Sequence, residues 1–81
     1  MTKAAANGNL QTLLREVEAR RAELRAQAAE VAAWHAEVAA NAFADDEKLT
    51  ASIRATTALL RDRRNEQRSY AAQLRAEDAN A

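Results

Sequence analysis

The sequence predicts an all-α fold, an antiparallel two-helix hairpin of coiled-coil type that assembles into a dimeric helical bundle. Three observations predict it. The 81 residues contain no proline and a single glycine, Gly8, so from Leu10 onward nothing forces a break in a helix. Each half of the chain carries a stripe whose members are spaced alternately four and three residues apart, the signature of a packed helical seam. The two stripes are out of phase with each other, yet they mirror one another about Asp45 and Asp46.

Residues 1–8 read as a flexible tail. Asn9 is placed to cap a first helix over about 9–43, because its side chain can accept a hydrogen bond from the first free backbone N–H groups. The stripe of this helix is Leu10, Leu14, Val17, Arg21, Leu24, Ala28, Val31, His35, Val38 and Ala42. A turn over about 44–46 follows, with Asp45, Asp46 and Glu47 suited to cap and charge-match the start of the next helix. It lacks the glycine that so often ends a helix. The second helix, about 47–78, completes a hairpin spanning 9–81. Its stripe is Leu49, Ile53, Thr56, Leu60, Arg63, Gln67, Tyr70 and Leu74. Alanine, leucine, glutamate, glutamine and arginine, the strongest helix formers, dominate both segments.

Folding about the midpoint of residues 45 and 46 brings Val38 against Ile53, Val31 against Leu60, Leu24 against Gln67 and Val17 against Leu74. Every stripe residue of the second helix then meets one of the first, a symmetry a continuous helix has no reason to keep. His35 falls opposite Thr56, as a histidine hydrogen-bonded at the edge of the core. Arg63 falls opposite Ala28 and Tyr70 opposite Arg21, pairs that fix register or snorkel to water. The half nearer the turn is expected to pack more tightly than the half nearer the termini.

Twelve Lys and Arg balance twelve Asp and Glu. No overall field therefore draws the chain to nucleic acid or to an anionic membrane. No apolar run approaches the roughly 18 residues of a membrane span. The N-terminus lacks the apolar core of a secretory signal, so a cytoplasmic protein is expected. There is no cysteine, and His35 is the only histidine. Disulfides and thiolate metal sites are thus excluded, and no metal, cofactor or small-molecule substrate is expected. Neither Ser52 nor Ser69 has a His–Asp arrangement within reach, so the chain is read as non-enzymatic. Heavy use of alanine and arginine with only two lysines hints at a GC-rich bacterial or phage genome.

Partner-binding residues are sought outside the seam. Glu16, Glu23, Glu30 and Glu37 recur every seven residues, as do Arg54, Arg61, Arg68 and Arg75. On the register above, both columns point about 130° away from the seam, on opposite edges of the hairpin, where they cannot pair within one molecule. They would orient an oppositely charged partner helix more than they would hold it. Ala19, Ala22, Ala26, Ala29, Ala33, Ala36 and Ala40 line a further face of helix one, which either fills an outer surface or permits close helix approach. Trp34, Leu59, Leu13 and Phe43 are apolar positions that one seam does not cover. Trp34 beside Leu59 is the preferred anchor, because buried tryptophans dominate many interfaces. The proposed contact set is therefore Trp34, Leu59, Leu13, Phe43, Glu23, Glu30, Arg54, Arg61 and Arg68.

The two-helix plan, its layered seam and the acidic turn Ala44-Asp45-Asp46-Glu47 resemble the Rop family of plasmid-encoded hairpins. The resemblance is one of architecture, and no RNA-contacting motif carries over residue by residue. It implies a dimeric four-helix bundle that binds paired RNA hairpins, here through the arginine column of helix two. Residues 48–75 carry seven positive and two negative charges, but no aromatic residues interleave with the arginines. The leading expectation is a protein-binding module, acting as adaptor, inhibitor or chaperone, that also pairs with itself as a homodimer. A Rop-like nucleic-acid-binding regulator and a structural coiled-coil component of a particle or secretion machine are the alternatives.

Overall fold

The computed structural model describes residues 3–79, with side chains from residue 8 onward. Two helices, α1 (Lys3–Ala42) and α2 (Glu47–Ala79), pack against each other. The rod they form measures 66 × 15 × 12 Å. A helix of 40 residues is itself about 60 Å long, so the rod is one helix long and the chain reverses midway. The hairpin is therefore as the sequence predicts. α1 is helical from Lys3 through Gly8, with Asn9 inside it rather than capping it. Ala4-Ala5-Ala6 favour this extension, and one glycine costs a helix only about 1 kcal/mol. Of the segment read as a tail, Met1 and Thr2 lie outside the described residues, as do Asn80 and Ala81 at the other end of the chain.

The turn, residues 43–46, works without glycine because hydrogen bonds close it instead. The Phe43 N–H donates to the Ala39 carbonyl at 3.0 Å and ends α1. The Phe43 carbonyl then accepts twice, from the Asp46 N–H at 2.9 Å and from the Thr50 hydroxyl at 2.7 Å. Asp46 caps α2: its Oδ1 accepts from the Leu49 N–H at 3.0 Å, satisfying a donor the first helical turn leaves free. No non-glycine residue among those described has positive φ.

The seam differs from the one the stripes predict. On α1 it is the alanine face that meets α2: Ala19, Ala22, Ala26, Ala29, Ala33 and Ala40 are buried. On α2 the buried residues are Thr50, Thr57 and Ala71, with Ile53, Leu60, Gln67 and Leu74 half-buried between them. At 100° per residue, α1 is turned about 150° from the predicted orientation and α2 about 50°. The physical reason is distance. Alanine and threonine let two helix backbones approach at the short end of the usual 8–10 Å separation, where many backbone and Cβ contacts accumulate. The buried hydroxyls cost little, since Thr57 donates to the Ile53 carbonyl at 2.9 Å within its own helix. No buried side-chain nitrogen or oxygen among the described residues lacks a partner.

The expected gradient of packing is absent too. Ala19, Ala22 and Ala71, near the open end, are at least as buried as Ala40 and Thr50 beside the turn. His35 is exposed and does not face Thr56 across the seam. The Thr56 hydroxyl donates instead to the Ser52 carbonyl of its own helix at 3.2 Å.

A candidate helix-docking face

Turning α1 moves its charges and its large apolar side chains to new places. The glutamate column now lies about 80° from the seam, and the arginine column about 70° from it on the same side. They pair within the molecule, contrary to the expectation that they could not. Arg61 binds Glu37, Arg68 binds Glu30 at 2.7 Å, and Arg64 stands 3.6 Å from Glu30. Arg75 bridges Glu16, at 3.0 Å, and Glu23. Of the four column arginines, only Arg54 has no carboxylate within 4 Å among the described residues. It borders an open groove with Glu37, Asn41 and Arg61. On the opposite flank Arg25 donates to Gln67 at 2.9 Å and lies 3.3 Å from Glu18. Near the open end Arg15 binds Asp78 at 2.9 Å.

Hydrogen bonds from Arg75 hold the Glu16 and Glu23 carboxyls below their ordinary pKa of 4.5, and the two carboxylates raise that of Arg75. The Arg15 guanidinium is raised by its bond to Asp78. The ladder thus stitches one side of the hairpin and sets its register. It also engages Glu23, Glu30, Arg61 and Arg68, four of the residues proposed to meet a partner.

The aliphatic stripe of α1, predicted to be the core, faces solvent. Its central column is Leu10, Val17, Leu24, Val31 and Val38, 48–62% exposed. This column points directly away from α2 by helical geometry. Leu13 and Trp34 flank it on one side, Leu14 and His35 on the other. Trp34 is 60% exposed and its ring lies 5.1 Å from that of His35, tilted by 49°. Trp34 borders a groove with Val31, Glu37, Arg61 and Arg64.

Leu13 and Trp34 therefore belong to one apolar surface, joined by aliphatic residues that the predicted seam had hidden. Leu59 and Phe43 are also exposed, but Phe43 lies in the turn. Leu59 projects from the side of the hairpin away from the ladder, so it does not stand beside Trp34 as the predicted register implies. The signal for this orientation is the alanine face, an unbroken alternation of three and four from Ala19 to Ala40, whose capacity for close helix approach the sequence offers as one of two readings. The aliphatic stripe, by contrast, is interrupted by Arg21 and His35.

The exposed surface totals 6140 Å², against about 4800 Å² for a compact monomer of this 8.9 kDa mass. No helix among the described residues is long and apolar enough to cross a membrane. No family model, curated protein or solved structure matches this chain.

Proposed function

We propose that this chain is a protein-interaction module: a stiff hairpin that holds the outer face of α1 ready for another helix, and so adapts, inhibits or chaperones its partner. One observation carries this reading. Five large aliphatic side chains recur every seven residues on the face opposite α2, all about half exposed or more. An exposed aliphatic column of that length marks a binding surface more often than an idle one, and its helical spacing suits a helix as occupant. The intramolecular ladder weighs against a Rop-like nucleic-acid binder, because Arg61, Arg68 and Arg75 already spend their charge on glutamates.

The test is retention of host proteins on immobilised wild-type hairpin, beside Leu24→Glu and Trp34→Ala. Proteins held by the wild type and lost from Leu24→Glu support the reading. Identical retention by all three refutes it. A titration with duplex and hairpin RNA covers the alternative, since tight binding that weakens steeply with salt would favour nucleic acid.

A further inference from the structure

Every carboxylate of α1 is held by an arginine. Glu16, Glu23, Glu30 and Glu37 meet Arg75, Arg68 and Arg61 in the ladder. Glu18 is shared by Arg21, at 3.6 Å, and Arg25, at 3.3 Å. The arginines are not matched in the same way. Arg20, Arg54 and Arg63 have no carboxylate within 4 Å among the described residues, and Arg21 has only its share of Glu18.

These four arginines border the outer face of α1. Arg20, three residues after Val17, lies on the flank of the aliphatic column that holds Leu13 and Trp34. Arg21, four residues after Val17, lies on the flank that holds Leu14 and His35. Arg54 lines a groove with Asn41, which continues the first flank. Arg63 lines another with Ala28, which belongs to the second. Carboxylates that balance these charges stand elsewhere, Asp45, Asp46 and Glu47 at the turn and Asp62 and Glu66 on α2. A chain of zero net charge is thus polarised, with its surplus of positive charge on both sides of the exposed column.

Resting on the docking-face reading above, we propose that the occupant is an acidic amphipathic helix of a partner protein. Its apolar stripe lies on the column from Leu10 to Val38, and carboxylates along both of its edges meet the surplus arginines. Spacing selects a helix: column residues recur every ~10.5 Å, whereas same-face residues of a strand recur every ~7 Å. From the level of Arg20 to that of Asn41, beside Arg54, is about 32 Å, the length of a helix of about 21 residues. Charge selects the acid. A basic helix would bring like charges against Arg20 and Arg21, at a cost in affinity. An acidic one meets no unpaired carboxylate on α1.

Trp34, the only tryptophan and 60% exposed, reports binding at this face through its own fluorescence. The probes are synthetic helices of about four heptads without tryptophan, leucine at a and d, and either glutamate or lysine at e and g. A third peptide keeps the glutamates but has glutamine in place of leucine. The glutamate peptide should shift Trp34 emission to shorter wavelength and bind roughly tenfold or more tighter than the lysine peptide. The glutamine peptide should not bind. Arg20→Glu with Arg21→Glu, both at exposed positions, should keep the helical circular dichroism and invert the preference. Leu24→Gln should lose both leucine peptides. Equal binding of the glutamate and lysine peptides, both lost in Leu24→Gln, overturns the acidic partner and leaves the docking face standing. Binding of the glutamine peptide as tight as that of its leucine counterpart overturns the helix in favour of any polyanion. A wild type that sediments as a dimer, with Trp34 already shielded, overturns it in favour of a second copy. No binding of any peptide overturns the proposal, and host proteins that also ignore Leu24→Glu overturn the docking face with it.

Discussion

Replacing Ala22 by leucine should unfold the hairpin more easily than any change to the exposed leucines. Ala22 has no exposed surface, and packs in a cluster with Ala19, Ala71 and Leu74. Leucine there adds three carbons where two backbones meet at close range. The helices must separate or the new side chain must leave its rotamer, at a cost of about 1–3 kcal/mol. For a domain of this size each kilocalorie lowers Tm by about 4–8 °C, so Ala22→Leu should melt about 8–16 °C below wild type at the middle of that range. The counterpart is Leu24→Ala, two positions away on the outer face. With Leu24 62% exposed, its removal should stay within about 0.5 kcal/mol. Both are read by thermal and urea unfolding at two protein concentrations, so that any contribution from association shows as a concentration-dependent shift. A leucine seam would give the reverse: about 2–5 kcal/mol lost in Leu24→Ala and little effect in Ala22→Leu.

Two further outcomes follow from the ladder and the turn. Glu16 and Glu23 titrate below their ordinary value of 4.5 because Arg75 bonds their ionised forms. Their stabilisation is therefore complete above about pH 4.5 and lost as pH falls through the lowered folded values. Tm measured from pH 7 to 3 should drop in that acid window, and by less in a Glu16→Gln, Glu23→Gln variant; an equal drop in both would remove the pair from the explanation. Asp46→Ala, which frees the Leu49 N–H, should cost about 0.5–2 kcal/mol in urea unfolding, whereas Asp45→Ala, without such a bond, should cost less.

How much was legible in the sequence depends on which force decided each feature. The helices, the reversal and the acidic cap follow from local chemistry: helix-forming residues, a break in phase, and an aspartate three residues before a free N–H. Half of the α2 seam was legible as well, since Ile53, Leu60, Gln67 and Leu74 lie in both the predicted and the observed contact. The orientation of α1 was not. It carries two stripes of coiled-coil spacing, one of alanine and one of leucine and valine, and hydropathy ranks the second higher. Spacing alone cannot say which stripe meets the neighbour in the same chain and which is left for another. Close backbone approach along Ala19–Ala40, together with ion pairs from Arg61, Arg68 and Arg75, selects the alanine face. The candidate site was hidden for the same reason: Val17, Leu24, Val31 and Val38 were assigned to the core, and the glutamates and arginines of the ladder to a partner.

Paired cysteines distinguish the two faces of α1 most directly. Two variants are oxidised at high dilution and weighed intact: Ala22→Cys with Ala71→Cys, and Leu24→Cys with Gln67→Cys. With the alanine face inward, the first should close a bridge within one chain and the second should stay reduced or link only between chains. An internal bridge in the second and none in the first would place the leucines inside, and both the interhelix contact and the docking face described above would be wrong.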